Sequence, residues 1–149
     1  MPNKIYAAVL ITLLGGLVTA PSFAGPENNF ILRCAGCHGM DASGSMEGGI
    51  PDFRNYVASF SYTEKGREYL MHVPGVVNSS LTDREIAEVM NYAMTRWGGS
   101  SLRSDFKPFT EAEVHKLQQV VVKDVVKFRR EVVEELTHQQ LPVAEYPWP

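Results

Sequence analysis

Apolar residues recur at helical spacing in four separate stretches of this chain. Phe30, Ile31 and Cys34 share one face of a first helix over 26–38, where Pro26 suits the opening turn. Tyr69, Leu70 and Val73 line a second over 63–73, with Thr63 as its N-cap and Pro74-Gly75 as its stop. The third is the best defined. Ile86, Val89, Met90, Ala93, Met94 and Trp97 form its continuous apolar face. Thr82-Asp83-Arg84-Glu85 has capping-box spacing, Leu81 and Ile86 flank it as a staple, and Gly98-Gly99 ends it. A second box, Thr110-Glu111-Ala112-Glu113, sits between Phe109 and Val114. It opens a stripe of Val114, Leu117, Val121, Val125, Phe128, Val132 and Leu136. That stripe predicts a single helix of about 27 residues, some 40 Å long.

Between these stretches the text is loop-like. Residues 40–62 carry Gly44, Gly48, Gly49 and Pro51, residues 76–80 make a connection, and 100–108 a polar linker. Pro142, Pro147 and Pro149 mark a non-helical tail. No internal repeat is present, and the fold class expected is all-α.

The first 24 residues read differently from the rest. Lys4 is a small basic n-region, Ile5 to Val18 an apolar core, and Ser22-Phe23-Ala24 a small-x-small cleavage site. The apolar run falls short of the roughly 20 residues that span a bilayer. The expectation is an exported protein cut after Ala24, with no membrane span afterwards. The domains expected are 1–24 signal peptide, 25–99 the main domain, and 100–149 a linker, an amphipathic helix and a Pro-rich tail.

Of 149 residues 44% are hydrophobic and 21% charged, which allows one compact core. The formal charge of −3 becomes about −4 once Lys4 is removed, which argues against nucleic acid as a partner. Lys127, Arg129 and Arg130, offset by Glu131, Glu134 and Glu135, read as a solvated helix face. His115 and His138 fall on helix surfaces.

The candidate chemistry lies in Cys34-Ala35-Gly36-Cys37-His38. Cys-x-x-Cys-His is the sequence sign of covalent c-type haem attachment. Two thiols one turn apart match neighbouring vinyl groups of one porphyrin, and the histidine that follows can serve as the proximal iron ligand. A thioredoxin-like redox pair would follow a strand in a βαβ pattern, and none is visible. A zinc site needs four ligands, yet no second cysteine pair exists and His72, His115 and His138 lack finger spacing. The expected cofactor is therefore one covalently attached haem c, which leaves no cysteine for a structural disulfide. Haem attachment of this kind takes place outside the bacterial cytoplasm, in keeping with the N-terminal leader.

With that motif, a middle helix and the late helix opening Leu81-Thr82-Asp83-Arg84-Glu85-Ile86-Ala87, the chain resembles the class I c-type cytochromes over roughly residues 26–97. The resemblance implies that the first and late helices cross at an aromatic pair, for which Phe30 and Tyr92 are placed. The run Ile86 to Tyr92, closed by Arg96-Trp97-Gly98, is also similar to the last haem-domain helix of periplasmic dehydrogenase cytochrome subunits. The family's methionine before proline is here Val73-Pro74, and valine cannot bind iron. Met71 is the first candidate for the distal ligand, His72 the alternative, and Met46 a third. Met90 and Met94 match core spacing. Met40 stands too close to His38 to reach the opposite face.

Three functions follow as expectations. The first is a periplasmic monohaem carrier that passes single electrons between redox proteins, among them a dehydrogenase or a terminal oxidase, and that is not an enzyme. The second is a dedicated subunit of a periplasmic dehydrogenase, docking through the C-terminal helix and Tyr146-Pro147-Trp148-Pro149. The third is a haem sensor or small peroxidase with an open distal site, where His72 could act as the acid–base group.

Overall fold

The computed structural model describes residues 25–146. The expected leader and the last three residues of the tail lie outside them. The described residues are helical, with no strand beyond an isolated bridge between Ser45 and Ile50.

The first expected helix is two: α1, Pro26–Arg33, and α2, Ala35–His38. Cys34 is the joint between them. It leaves ideal helical geometry (φ −118°) while its carbonyl accepts hydrogen bonds from the amides of Cys37 (3.1 Å) and His38 (2.9 Å). Gly39 then turns the chain at φ 78°, a conformation costly for residues with a Cβ. The glycine-rich stretch that follows is a loop as far as a 3₁₀ helix, Val57–Tyr62, whose residues are mostly buried. The second expected helix is α3, Glu64–His72, capped by the Thr63 hydroxyl accepting from the Gly66 amide. A short α4, Pro74–Val77, occupies what reads in the sequence as a plain connection.

The long central helix is α5, Asp83–Trp97. Its capping box is complete: the Thr82 hydroxyl accepts from the Glu85 amide, and the Glu85 carboxylate accepts from the Thr82 amide at 2.9 Å. At Thr110 only half a box forms, because the Glu113 carboxylate turns to Arg67 instead. Phe109 and Val114 are both buried beside it, as the staple requires.

The 27-residue helix expected from the last stripe is two helices, α6, Glu111–Gln118, and α7, Val125–His138. The break has a local cause. Asp124 caps α7, its carboxylate accepting from the Lys127 amide at 2.9 Å. The β-branched run Val120-Val121-Val122 before it favours extended backbone. Val121, a member of the expected stripe, points to solvent at 81% exposure.

Packing follows from the faces. α1 crosses α5, and α5 lies along α6. α3 is held among the 3₁₀ helix, α6 and α7. One core cluster joins Leu70, Met71, Ile86, Met94, Val114 and Leu136, so residues on both sides of the expected 99/100 boundary share one interior. A smaller cluster gathers Phe30, Ala42 and Val89 against Cys34, with Phe53 and Leu81 packed on both.

The tail folds back. The Ser59 hydroxyl donates to the Pro142 carbonyl at 2.6 Å, and Leu141 and Val143 pack on the core. Arg129, expected on a solvated face, is 7% exposed, with its guanidinium stacked 3.9 Å above the Tyr146 ring. The aromatic face takes the place of solvent there.

Candidate functional site

Cys34, Cys37 and His38 come together at α2. Both thiols are free; Cys34 is half-buried and Cys37 exposed. Burial, and then the neighbouring Cys37, push the Cys34 thiol up, so it rests protonated. His38 is mostly buried. That burial lowers its pKa to about 4, with the Pro51 backbone carbonyl acting in the opposite direction. The imidazole is therefore neutral at physiological pH, the form that donates a lone pair to a metal. The Gly44 amide donates to the His38 carbonyl at 2.8 Å and fastens the loop to the motif.

Two residues of that loop complete the surroundings and carry no motif of their own. Phe53 lies over the His38 ring, centroid to centroid 4.0 Å, and Pro51 presents its carbonyl to it. Phe53 is anchored by its amide to the Ala42 carbonyl at 2.9 Å. The proline-x-aromatic spacing Pro51-Asp52-Phe53 is the signal that could have marked them, but nothing local ties it to His38.

The helix crossing expected from the family is present. Phe30 meets Tyr92 at 6.2 Å, and Trp97 lies closer still at 4.3 Å. Phe30 is only 2% exposed, so this contact fixes α1 and with it the register of the cysteine motif.

The distal candidates part company. Met71 is fully buried in the main core. His72 has both ring nitrogens at backbone carbonyls, Nδ1 2.8 Å from that of Glu68 and Nε2 2.8 Å from that of Val120. Met46 and Met40 are exposed on the loop, while Met90 and Met94 are core residues. His115 lies at the surface, 2.9 Å from Asp83, and His138 is exposed.

Haem c fits this donor set. The His38 imidazole is buried and neutral, so a ring nitrogen keeps a lone pair for iron, and Pro51 is the backbone group that faces the ring. Beside it two reduced thiols sit within one helical turn, where each could form a thioether bond. Among the described residues no group of three His, Cys, Asp or Glu side chains is placed to hold a metal ion by itself.

No family model matches the chain. Two relatives do. A cytochrome c-552 from one strain of Thermus thermophilus is 36% identical, across 71% of this chain and 81% of the relative. A second cytochrome c-552 of Thermus thermophilus is 38% identical, across 58% of this chain and 79% of the relative.

Proposed function

This chain belongs to the class I monohaem c-type cytochromes, and we propose that it passes single electrons between other redox proteins outside the cytoplasm. Its cofactor is covalently bound haem c, and it is an electron-transfer protein. When bound, the haem supplies one-electron chemistry at its iron, at a potential set by ligand, burial and nearby charge.

The observation that carries the reading is the meeting of Cys34, Cys37 and a neutral, buried His38 on one turn. In it, Cys34 and Cys37 form the thioether bonds and His38 is the proximal ligand. Phe53 keeps water from the imidazole and limits its rotation. The Phe30, Tyr92 and Trp97 contact holds α1 against α5, so the two sulfurs keep their place.

Met71 stays the first choice of distal ligand in this reading on its place in the sequence, although it is packed in the core. His72, with its ring nitrogens 2.8 Å from the Glu68 and Val120 carbonyls, is the alternative. Thioether ligation raises the potential and suits a carrier. Export rests on the leader at residues 1–24, and no helix among the described residues is long and apolar enough to cross a membrane.

The docked tail favours an autonomous carrier over a dehydrogenase subunit, since Pro142 and Tyr146 find partners within their own chain. Spectroelectrochemical titration of the purified protein tests the reading. A single reversible one-electron step with low-spin spectra in both states supports it. A high-spin ferric protein that turns over peroxide points instead to the open-site reading.

A further inference from the structure

The turn between α6 and α7 carries an apolar tip with a basic rim. Val120 is 41% exposed and Val121 81%, while Val77, at the end of α4, is 58% exposed. His72 joins these places: it ends α3, its Nε2 lies 2.8 Å from the Val120 carbonyl, and the Val77 amide bonds one turn away to the Val73 carbonyl. The turn is built rather than loose. The Val120 amide donates to the Leu117 carbonyl at 3.1 Å, and Asp124 caps the next helix.

Charge around this tip runs against that of the chain. Lys116, Lys123 and Lys127 are all exposed and in no ion pair among the described residues. Glu113, three residues before Lys116, is gripped by Arg67, and the Asp124 carboxylate beside Lys123 accepts from the Lys127 amide as the cap of α7. Yet the whole chain carries a formal charge of −3, so an anionic surface would be repelled elsewhere and attracted here.

We propose that this turn is a peripheral contact for an anionic lipid surface: Val77, Val120 and Val121 enter the interfacial layer while Lys116, Lys123 and Lys127 meet the headgroup phosphates. A fluid interface accepts a convex apolar tip without a matching groove, whereas a protein partner would have to supply one. Lysine stems reach past the valines and keep their ammonium groups at phosphate level. The contact is weak and salt-dependent by construction, which leaves the protein free to exchange. The proposal does not depend on the haem reading.

Co-sedimentation of the full haem-loaded chain with vesicles tests it, the stained protein in pellet and supernatant reporting the bound fraction. The expected result is pelleting with phosphatidylglycerol vesicles, none with phosphatidylcholine, and release at high salt. Lys116→Gln, Lys123→Gln and Lys127→Gln combined should weaken binding by at least about tenfold. Val121→Asp, at a site too exposed to disturb folding, should abolish it with the reduced spectrum unchanged. No pelleting, equal pelleting with both lipids, or variants that pellet like the parent would overturn the proposal. So would capture by immobilised polyglutamate without vesicle binding, which would assign the rim to an acidic protein.

Discussion

Arg67 grips Glu113 through two parallel hydrogen bonds, Nε to Oε1 at 2.6 Å and Nη2 to Oε2 at 2.7 Å. The same guanidinium donates to the carbonyls of Ser61 and Lys107 and lies 3.8 Å over the Phe109 ring. One side chain of α3 thereby fastens α6 and the segment before it to the domain that carries the cysteine motif. The fork geometry is why arginine stands here, since lysine offers neither the paired donors nor the planar stack.

Arg67→Ala should destabilise the haem-loaded protein by about 3 kcal/mol, because it leaves the half-buried Glu113 carboxylate without its partner. Arg67→Lys should recover less than half of that loss. Thermal melts followed in the far ultraviolet measure both, and the reduction potential should hardly move. An unchanged melt for Arg67→Ala would mean that the pair is ornamental to the fold.

Leu136 and Val132 are fully buried in the same core as Met71 and Ile86. Leu136→Ala should therefore cost about 2–4 kcal/mol in a single cooperative transition. Truncation after residue 108 should prevent stable folding of the haem domain. Two separate transitions, or a truncated protein that melts normally, would make residues 100–149 a unit apart from the haem domain.

Tyr69 is packed between Phe60 and Phe128. Burial, only partly opposed by the Arg129 charge, pushes its pKa to about 12. The unfolded chain loses this proton near pH 10, so between pH 10 and 12 the folded state holds more protons than the unfolded one. Stability should fall as pH rises through that window. Tyr69→Phe should flatten the fall, which a series of melts from pH 9 to 12 would record.

Much of this was readable in advance. The cysteine motif, the Thr82 box and the apolar face from Ile86 to Trp97 each rest on local spacing, and local spacing survives folding. The break at Gln119–Asp124 was hidden because Val121 fits a helical stripe perfectly well by position; only its lack of a neighbour tells it apart. Arg129 read as solvated because its partner, Tyr146, stands far along the chain in a tail with no pattern. Phe53 and Pro51 meet His38 across a glycine-rich loop whose course no periodicity encodes. The distal donor belongs to the same class of problem: two adjacent residues, Met71 and His72, point to different surroundings, and only tertiary contacts separate them.

That separation gives a sharp pair of variants. Met71→Ala should remove the weak far-red sulfur-to-iron charge-transfer band of the oxidised protein. His72→Gln should leave the band intact while lowering stability by about 1 kcal/mol through the lost bond to the Val120 carbonyl. The reverse pattern would make His72 the ligand.

The most direct measurement is the mass of the denatured protein after export in a host that attaches haem. The chain should keep the mass of one haem through unfolding and lose that increment when Cys34→Ser and Cys37→Ser are combined. A denatured chain at its bare polypeptide mass, from material that is otherwise folded and exported, would contradict covalent haem attachment.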